Sequence, residues 1–471
     1  MVGIKSFSAY IPFFRLSRKE IAQFWSGFPG KGEKAVANFD EDSITMAVES
    51  SMNCISGFDA ANIDELYFAS TSSPYKEKQS SALISTALDL RKDVFTADLA
   101  GSLRSGMSAV KTAFNSIKAG SANDVLVCAS DIRLGFPKGS HEMDLGDGGA
   151  ALLLGKDKVV AEIVDTYSVA DEINDIWRSD KDTFVLAGEE RFVREKGYLR
   201  VIVEAASAAM KKFGLEPKDI TKAVLYAPNG KLISGAARKL GFDIKTQVQD
   251  TLYAQIGNTG TALAPMLLAS ALETAKPGDT ILWAGYGDGS DVMLLKVTDE
   301  IKNYNIKKSV EKQLNAKKMI TYQKFLSWRE LLASDPPARP PLEKPSAVSL
   351  WRDARKGLSL TGVKCLNCGT PQYPTQRVCF KCKTKDQFEP FRFADKAGKL
   401  VTFSHDNLAP SLDPPTTVGV IDYEVGGRII TEITDRETEE IKVNMPIKMT
   451  FRRFRVVGSI YDYWWKGVPV R

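Results

Sequence analysis

The sequence is poor in histidine and cysteine and has no long apolar run. Its 471 residues contain two histidines and six cysteines. So few histidines leave little room for catalysis by imidazole groups. No run of about 18 apolar residues occurs, and the N-terminus lacks the pattern of a secretory signal. The sequence therefore predicts a cytoplasmic protein without a membrane span.

An excess of charge of one sign is also missing. Lys and Arg number 63 against 58 for Asp and Glu, so the formal net charge is only +5. We therefore expect no nucleic-acid partner. The glycine-rich patterns of phosphate-binding and dinucleotide-binding loops are absent as well. The apolar share of 44% is typical of a chain with a large core, and the length predicts about two to four domains at ~150 residues each.

Residues 1–300 alternate strand-like and helix-like patterns, as in α/β proteins. A pattern of glycine, helix, aspartate, strand and glycine-rich turn begins at Gly106 and recurs in the same order from Gly260. Self-similarity of this kind indicates an internal repeat. The sequence therefore predicts a duplicated α/β domain with repeats of about 1–157 and 158–300.

The amino-acid composition changes after this domain. Residues 301–358 are basic and rich in proline, which removes backbone donors and interrupts regular structure, so they predict a linker with short helices. Five prolines lie close together in it: Pro336, Pro337, Pro340, Pro341 and Pro345. Residues 393–471 contain runs of alternating polarity broken by glycine or proline, which predict a small β-barrel.

Four cysteines form the strongest local motif. Cys365 and Cys368 make one CxxC pair, and Cys379 and Cys382 make a second after ten intervening residues. Four thiolates at this spacing surround one Zn²⁺ at ~2.3 Å and leave no open coordination position, so the ion would be structural. A redox role would require a βαβ context that is missing here. We predict a zinc ribbon over 359–392.

Several turns carry a resemblance to a known family. The Gly-Asn-Thr turn at 257–259 precedes an Ala/Leu-rich helix, and Gly-x-Gly turns lie at 146–148 and 285–287. Together with the duplication, these turns resemble the thiolase superfamily, above all its hydroxymethylglutaryl-CoA synthase and ketoacyl synthase III branches. Residues 360–471 resemble the zinc-ribbon plus OB-fold domain often found beside thiolase-like acyl-CoA enzymes.

The resemblance implies a duplicated, five-layered thiolase-like fold followed by the zinc ribbon and OB-fold. It also implies an acyl-CoA thioester as the ligand, with coenzyme A as part of the substrate. A homodimer is the expected assembly, and a partner enzyme of an acyl-CoA pathway is an open possibility.

The candidate active site departs from the family pattern. In the synthases a nucleophilic cysteine precedes the first central helix, and the matching position here is Leu103. The family glutamate corresponds to Thr71, and the family histidine corresponds to Tyr226. Of the family's polar residues, Asn258 is retained.

Leucine has no nucleophilic atom, so we predict that no acyl-enzyme forms. An aldol or retro-aldol reaction on a hydroxyacyl-CoA needs an acid or base and an oxyanion site, but no covalent intermediate. Tyr226 is the candidate acid or base. Asn258 and backbone N–H groups near Leu103 and Gly287 are the candidate oxyanion site. The chain would then be a lyase or transferase of lipid metabolism.

Two alternatives stay open. The chain could be a non-catalytic thiolase-like subunit that binds acyl-CoA or acts as a scaffold in a multienzyme complex. It could also be a conventional hydroxymethylglutaryl-CoA synthase if Leu103 does not occupy the nucleophile position. Tyr226 could equally be a buried structural tyrosine, and Asn258 a turn residue.

Overall fold

The structure is a computed structural model that describes residues 1–27, 30–333, 335 and 343–471. Its contacts divide the chain into two units. The first consists of Met1–Ala37, Ser50–Ala82 and Arg91–Tyr322, and the second of Asn38–Glu49, Leu83–Leu90 and Gln323–Arg471. The linker prolines at positions 336, 337, 340 and 341 lie outside the described residues.

The strands follow the chain in order. They are β1 Gly3–Tyr10, β2 Phe14–Ser17, β3 Glu33–Val36, β4 Ile63–Ala69, β5 Phe95–Leu99, β6 Asp124–Asp131, β7 Gly148–Gly155, β8 Ala161–Ala170, β9 Ile176–Trp177, β10 Leu186–Ala187, β11 Lys222–Leu225, β12 Thr280–Tyr286, β13 Gly289–Val297, β14 Lys318–Met319, β15 Thr361–Cys365, β16 Pro371–Gln372, β17 Phe388–Arg392, β18 Gly398–Asp406, β19 Thr416–Tyr423, β20 Arg428–Glu432, β21 Pro446–Val457 and β22 Ile460–Pro469.

The α-helices are likewise numbered along the chain. They are α1 Arg18–Phe24, α2 Ser43–Ile55, α3 Ser80–Ala87, α4 Ser105–Ala119, α5 Ser140–Asp144, α6 Glu190–Phe192, α7 Arg200–Phe213, α8 Leu232–Leu240, α9 Tyr253–Ile256, α10 Leu263–Leu272, α11 Val310–Asn315, α12 Tyr322–Trp328, α13 Ala347–Arg352 and α14 Ala354–Gly357. None of the helices in the described part of the chain has the length and apolarity that crossing a bilayer requires.

The first unit is built around a nine-stranded sheet. The strand order is β11-β12-β13-β8-β1-β7-β6-β4-β5. The first half of the sheet runs from β1 to β5 in this order. In it, β4 pairs parallel with β6, β6 pairs antiparallel with β7, and β7 pairs antiparallel with β1. On the other side, β11 and β12 are parallel while β12, β13 and β8 pair antiparallel. The two halves therefore repeat the same strand arrangement, which confirms the predicted duplication.

Helices α10 and α7 occupy different layers of this unit. Almost every residue of α10 is buried, and the helix contacts strands from both halves of the sheet. A helix that is apolar on all sides is expected in such a central layer. Helix α7 buries one face only, formed by Val201, Ile202, Ala205, Ala206, Ala209 and Met210. Its amphipathic sequence is typical of an outer layer.

The second unit contains two small sheets. Strands β15, β16 and β17 form the first, which carries the cysteine motif. The second sheet has the order β20-β19-β18-β21-β22. Two hydrogen bonds connect the edge strand β20 and the residues after it to the other edge strand, β22. The hydroxyl of Thr431 donates to the carbonyl oxygen of Trp465 at 2.7 Å, and the N–H of Thr434 donates to the carbonyl oxygen of Gly467 at 2.9 Å. The sheet thus closes into the predicted small barrel.

A buried cluster of charges joins Asn38–Glu49 to the barrel within the second unit. Arg452 lies 3.2 Å from Asp40 and 3.0 Å from Glu41. Lys466 lies 3.0 Å from the same Asp40. Burial alone would raise the pKa of Asp40, but Lys466 and Arg452 outweigh it and hold that pKa below its usual value. The carboxyl group of Asp40 is therefore ionised and is paired with two buried cations.

We expect Arg452→Met to lower the free energy of unfolding by about 3–5 kcal/mol, because it leaves Asp40 and Glu41 buried without this cation. Arg428→Met is the matched control, since Arg428 is 58% exposed and pairs with Asp422 at the surface; it should cost less than about 1 kcal/mol. Urea denaturation followed by circular dichroism measures both. Equal losses in the two variants would contradict the role of the cluster.

Candidate functional site

The candidate site lies in the first unit, where several strands end. Thr71 follows β4 and Asp131 ends β6, and these two strands are parallel neighbours. Tyr226 follows β11 and Tyr286 ends β12, which are also parallel neighbours. The carboxyl ends of parallel strands meet at one edge of a sheet, so the duplication places equivalent residues of both halves at the same edge.

Asn258 is held by its neighbours on both of its polar atoms. Its Nδ2 donates to the hydroxyl of Tyr226 at 2.9 Å. Its Oδ1 accepts from Nη2 of Arg133 at 3.0 Å and from the N–H of Gly260 at 3.0 Å. Tyr226 and Asn258 are both buried. The structure therefore brings these two predicted residues into direct contact and fixes the orientation of the amide.

The turn at 146–148 positions this asparagine. The N–H of Gly146 donates to the carbonyl oxygen of Asn258 at 3.0 Å, and the N–H of Asn258 donates to that of Asp144 at 2.7 Å. A Cβ atom at position 146 would lie 1.8 Å from the carbonyl oxygen of Ile256. Glycine is required here because the two backbone segments approach so closely.

The hydroxyl of Tyr226 keeps its proton at neutral pH. Burial raises its pKa, although the positive charge of Arg133 and the hydrogen bond from Asn258 oppose the shift. Tyr286 stacks on the Tyr226 ring at a centroid distance of 6.4 Å. Since the hydroxyl oxygen accepts from Asn258, its own proton is available to another group.

Asp131 gathers the residues around Thr71. One carboxylate oxygen accepts from the hydroxyl of Ser70 at 3.0 Å, the N–H of Thr71 at 2.8 Å and the hydroxyl of Ser72 at 2.7 Å. The other accepts from the N–H and hydroxyl of Thr261 at 2.8 and 2.9 Å. The Oγ1 atom of Thr71 is buried and has no hydrogen-bond partner among the described residues.

Leu103 lies just before α4, beside Gly287. A Cβ atom on Gly287, whose φ is 149°, would lie 2.7 Å from Oγ of Ser102 and 3.0 Å from the nitrogen of Leu103. The N–H of Gly287 itself donates to the carbonyl oxygen of Gly289 at 3.0 Å. Of the two expected backbone donors, therefore, only that of Leu103 lacks an acceptor in the described part of the chain.

Sequence reasoning missed three polar residues of the site, Asp131, Arg133 and Arg178. Arg178 donates to the backbone carbonyl oxygen of Thr71, and Arg133 contacts Asn258 as described above. The sequence could have indicated two of them, because Asp131 and Arg133 lie at the carboxyl end of the predicted strand around 124–130, where functional residues of a parallel sheet are expected.

The four predicted cysteine ligands converge in the second unit. Their sulfur atoms all lie within 4.8 Å of one another. The Sγ atoms of Cys365 and Cys382 are 3.6 Å apart, and those of Cys368 and Cys379 are 3.5 Å apart. Tetrahedral coordination at ~2.3 Å requires sulfur separations of about 3.8 Å. The set therefore fits a four-coordinate zinc ion.

Both cysteine pairs lie on turns of the same form. The N–H of Gly369 donates to the carbonyl oxygen of Cys365 at 2.9 Å, and that of Lys383 donates to Cys379 at 3.0 Å. Gly369 and Lys383 both have positive φ, 70° and 63°. Two matching turns present their thiols to a common centre, as metal knuckles do.

Three family models match the chain. The model for the C-terminal part of 3-oxoacyl-[acyl-carrier-protein] synthase III matches residues 210–295. The rubredoxin-like zinc ribbon domain of ChsH2 matches residues 352–389, and the C-terminal OB-fold domain of ChsH2 matches residues 392–452.

Curated relatives cover most of the chain. The hydroxymethylglutaryl-CoA synthase of Pyrobaculum arsenaticum is 33% identical over 344 residues, which are 70% of this chain and 98% of the relative. The hydroxymethylglutaryl-CoA synthase of Pyrococcus horikoshii is 33% identical over 337 residues, 70% of this chain and 96% of the relative.

Solved structures share the fold at low identity. A hydroxymethylglutaryl-CoA synthase complexed with CoA has a TM-score of 0.63 at 20% identity, over 69% of this chain and 89% of the other. The 3-oxoacyl-[acyl-carrier-protein] synthase III of Aquifex aeolicus has a TM-score of 0.57 at 20% identity, over 63% of this chain and 100% of the other.

These comparisons confirm the predicted thiolase-like fold with its zinc ribbon and OB-fold. The domain boundaries stay predictions, and so do the roles of Thr71, Leu103, Tyr226 and Asn258.

We expect the purified protein to contain one zinc ion per chain and Cys379→Ala to contain none, because losing one thiolate opens a four-coordinate site. Cys128→Ala is the control, since Cys128 is a buried cysteine of the first unit. Elemental analysis by mass spectrometry measures the zinc content. Full zinc occupancy in Cys379→Ala would contradict the assignment.

Proposed function

Because the chain belongs to the hydroxymethylglutaryl-CoA synthase family, we propose that it acts on a carbon–carbon bond of an acyl-CoA thioester by an aldol or retro-aldol reaction without an acyl-enzyme. The observation that carries the proposal is the hydrogen bond from Asn258 to the hydroxyl of Tyr226. The absence of an acyl-enzyme rests on the predicted correspondence of Leu103 to the family nucleophile. Acyl-CoA is proposed as the ligand on the same grounds.

The cysteines of the first unit support a reaction without a thioester intermediate. Cys54 and Cys128 are both buried, and burial raises the pKa of each thiol to about 12. A thiol with so high a pKa supplies almost no thiolate at neutral pH. Leu103 itself has no atom that could attack a thioester.

Tyr226 is suited to act as an acid. In the addition direction, an enolate carbon attacks a carbonyl carbon, the new carbon–carbon bond forms, and the carbonyl electron pair moves to oxygen. Tyr226 donates its proton to that alkoxide. In cleavage the steps run in reverse: the tyrosinate form of Tyr226 accepts the hydroxyl proton, the carbon–carbon bond breaks, its electron pair forms the thioester enolate, and the enolate carbon takes a proton from solvent. The raised pKa favours the donor role because the phenol stays protonated until an alkoxide forms.

The start of α4 is suited to hold the thioester enolate oxygen. The N–H of Leu103 points to no acceptor in the described part of the chain, and Oγ of Ser102 is buried without a partner there. Both donors lie close to Gly287, where a Cβ atom would come within 2.7 Å of Oγ of Ser102 and 3.0 Å of the nitrogen of Leu103. Each preorganised donor of this kind contributes roughly 3–4 kcal/mol to stabilisation of a developing oxyanion in other enzymes.

A second candidate is a non-catalytic subunit that binds acyl-CoA within a multienzyme complex. It is favoured by the high pKa of Tyr226, which makes this tyrosine a poor base. A homodimer is proposed for either candidate, with sedimentation of the intact protein as the measurement.

We expect the zinc-loaded protein to convert a 3-hydroxyacyl-CoA into a shorter acyl-CoA and a ketone or aldehyde, detected by mass spectrometry across a panel of thioesters. Tyr226→Phe should lower kcat by about 10²–10⁴-fold, because the proton donor is lost, while thioester affinity is unchanged. Tyr67→Phe is the matched control, since it removes a buried hydroxyl that donates to Glu65.

The other outcomes separate the alternatives. Thioesters that bind but stay intact would contradict the proposed reaction and favour the binding subunit. A covalent label left on the protein by radioactive acetyl-CoA would contradict both candidates and favour a conventional synthase.

A further inference from the structure

A cavity of about 370 Å³ opens at the edge of the nine-stranded sheet that lies opposite the candidate site. All of its lining residues belong to the first unit. Lys5 in its wall binds Asp124, the first residue of β6, whereas Asp131 of the candidate site is the last residue of that strand. Strand geometry separates the two aspartates by roughly 23 Å, at ~3.3 Å per residue. The cavity is therefore distinct from the candidate site.

The wall around Lys5 is built before any ligand binds. Lys5 is the extra residue of a β-bulge between β1 and β7, a feature that redirects a side chain. Its ammonium group binds Asp124 at 2.7 Å and Asp157 at 2.8 Å. The same ammonium group lies 5.8 Å from the ring centroid of Phe58. Lys5 is thus neutralised, and it supports an aromatic ring that lines the cavity.

Tyr304 provides a second aromatic surface of the cavity. Its hydroxyl accepts from the N–H of Phe7 at 3.1 Å and donates to the carbonyl oxygen of Phe7 at 3.0 Å. One face of its ring stacks on the ring of Phe7 at a centroid distance of 4.6 Å. These contacts fix the tyrosine on β1, so that a ligand ring would pay little entropy to order it.

Two lysines at the rim of the cavity carry charges that are not paired. Lys158 and Lys307 are exposed, and neither forms an ion pair or hydrogen bond among the described residues. Lys158 has a φ of 50°, which is uncommon for a residue with a side chain. The lining contains one carboxylate, that of Glu300. With Lys5 neutralised, the remaining lining has a surplus of positive charge.

Asn303 and Asn305 add two amide groups to the same rim. Both side chains are exposed, and neither amide has a hydrogen-bond partner in the part of the chain that the structure describes. An amide donates and accepts hydrogen bonds at once. This combination matches the edge of a nucleobase, where donors and acceptors alternate.

We propose that this cavity binds a nucleoside monophosphate. The rings of Phe58 and Tyr304 offer stacking surfaces for the base, and the two asparagine amides offer partners for its polar edge. Lys158 and Lys307 bind the phosphate as charged donors. The volume lies at the low end of the range for ligand cavities, about 300–1,000 Å³, so it suits one nucleotide rather than a molecule of the size of CoA.

Calorimetric titration of the intact protein with AMP, GMP, CMP and UMP tests the proposal. Excess CoA is present throughout, because CoA itself contains a nucleotide and would otherwise leave the acyl-CoA site open to these probes. At least one nucleotide should bind at one per chain. Its nucleoside and inorganic phosphate, titrated separately, should each bind about 10-fold more weakly or less, since each lacks one set of contacts.

Variants assign the binding to this cavity. Lys158→Gln and Lys307→Gln should each weaken nucleotide binding by about 10-fold and leave the affinity for the nucleoside unchanged, because each removes a charged donor to phosphate. Phe58→Leu should weaken binding of nucleotide and nucleoside alike. Lys302→Gln is the matched control, since Lys302 is exposed, pairs with Asp299 and does not line the cavity.

Failure of all four nucleotides to bind would overturn the inference. So would displacement of the nucleotide by CoA, which would place it in the acyl-CoA site, or unchanged affinity in both lysine variants. The proposed reaction is tested separately by cleavage of hydroxyacyl-CoA, and neither result decides the other.

Discussion

The carboxylate of Asp131 joins the two halves of the duplicated domain. One oxygen binds the segment that follows β4 in the first half, and the other binds Thr261 at the start of the central helix of the second half. Ordering these backbone segments against each other costs conformational entropy, and five hydrogen bonds to one charged group offset that cost. The segment that carries Thr71 and the turn that follows Asn258 are therefore bound to the same carboxylate.

The sequence predicted those features that depend on local pattern. The paired cysteine motifs identify themselves by spacing, and the repeated order of glycine, helix and strand indicates the duplication. Asn258 could be singled out because its turn resembles a family motif. In each case the motif, or each single copy of the repeat, spans only a few tens of positions.

Other features depend on residues that are distant in sequence. Nothing local in Asn38–Glu49 shows that its carboxylates pack on Arg452 and Lys466. Arg133 likewise looks like an ordinary loop arginine until Asn258 is placed against it. The engagement of the Gly287 N–H with Gly289 depends on the exact turn geometry, which the glycine-rich pattern alone leaves undefined.

The buried charge cluster of the second unit bears on the order in which the chain is made. Asp40 and Arg452 are 412 positions apart, so the ribosome releases the acidic segment long before its basic partners exist. The barrel can complete its charge pairing only after synthesis has reached the last strands. Because the acidic and basic members of the cluster belong to one polypeptide, they are always supplied in a one-to-one ratio.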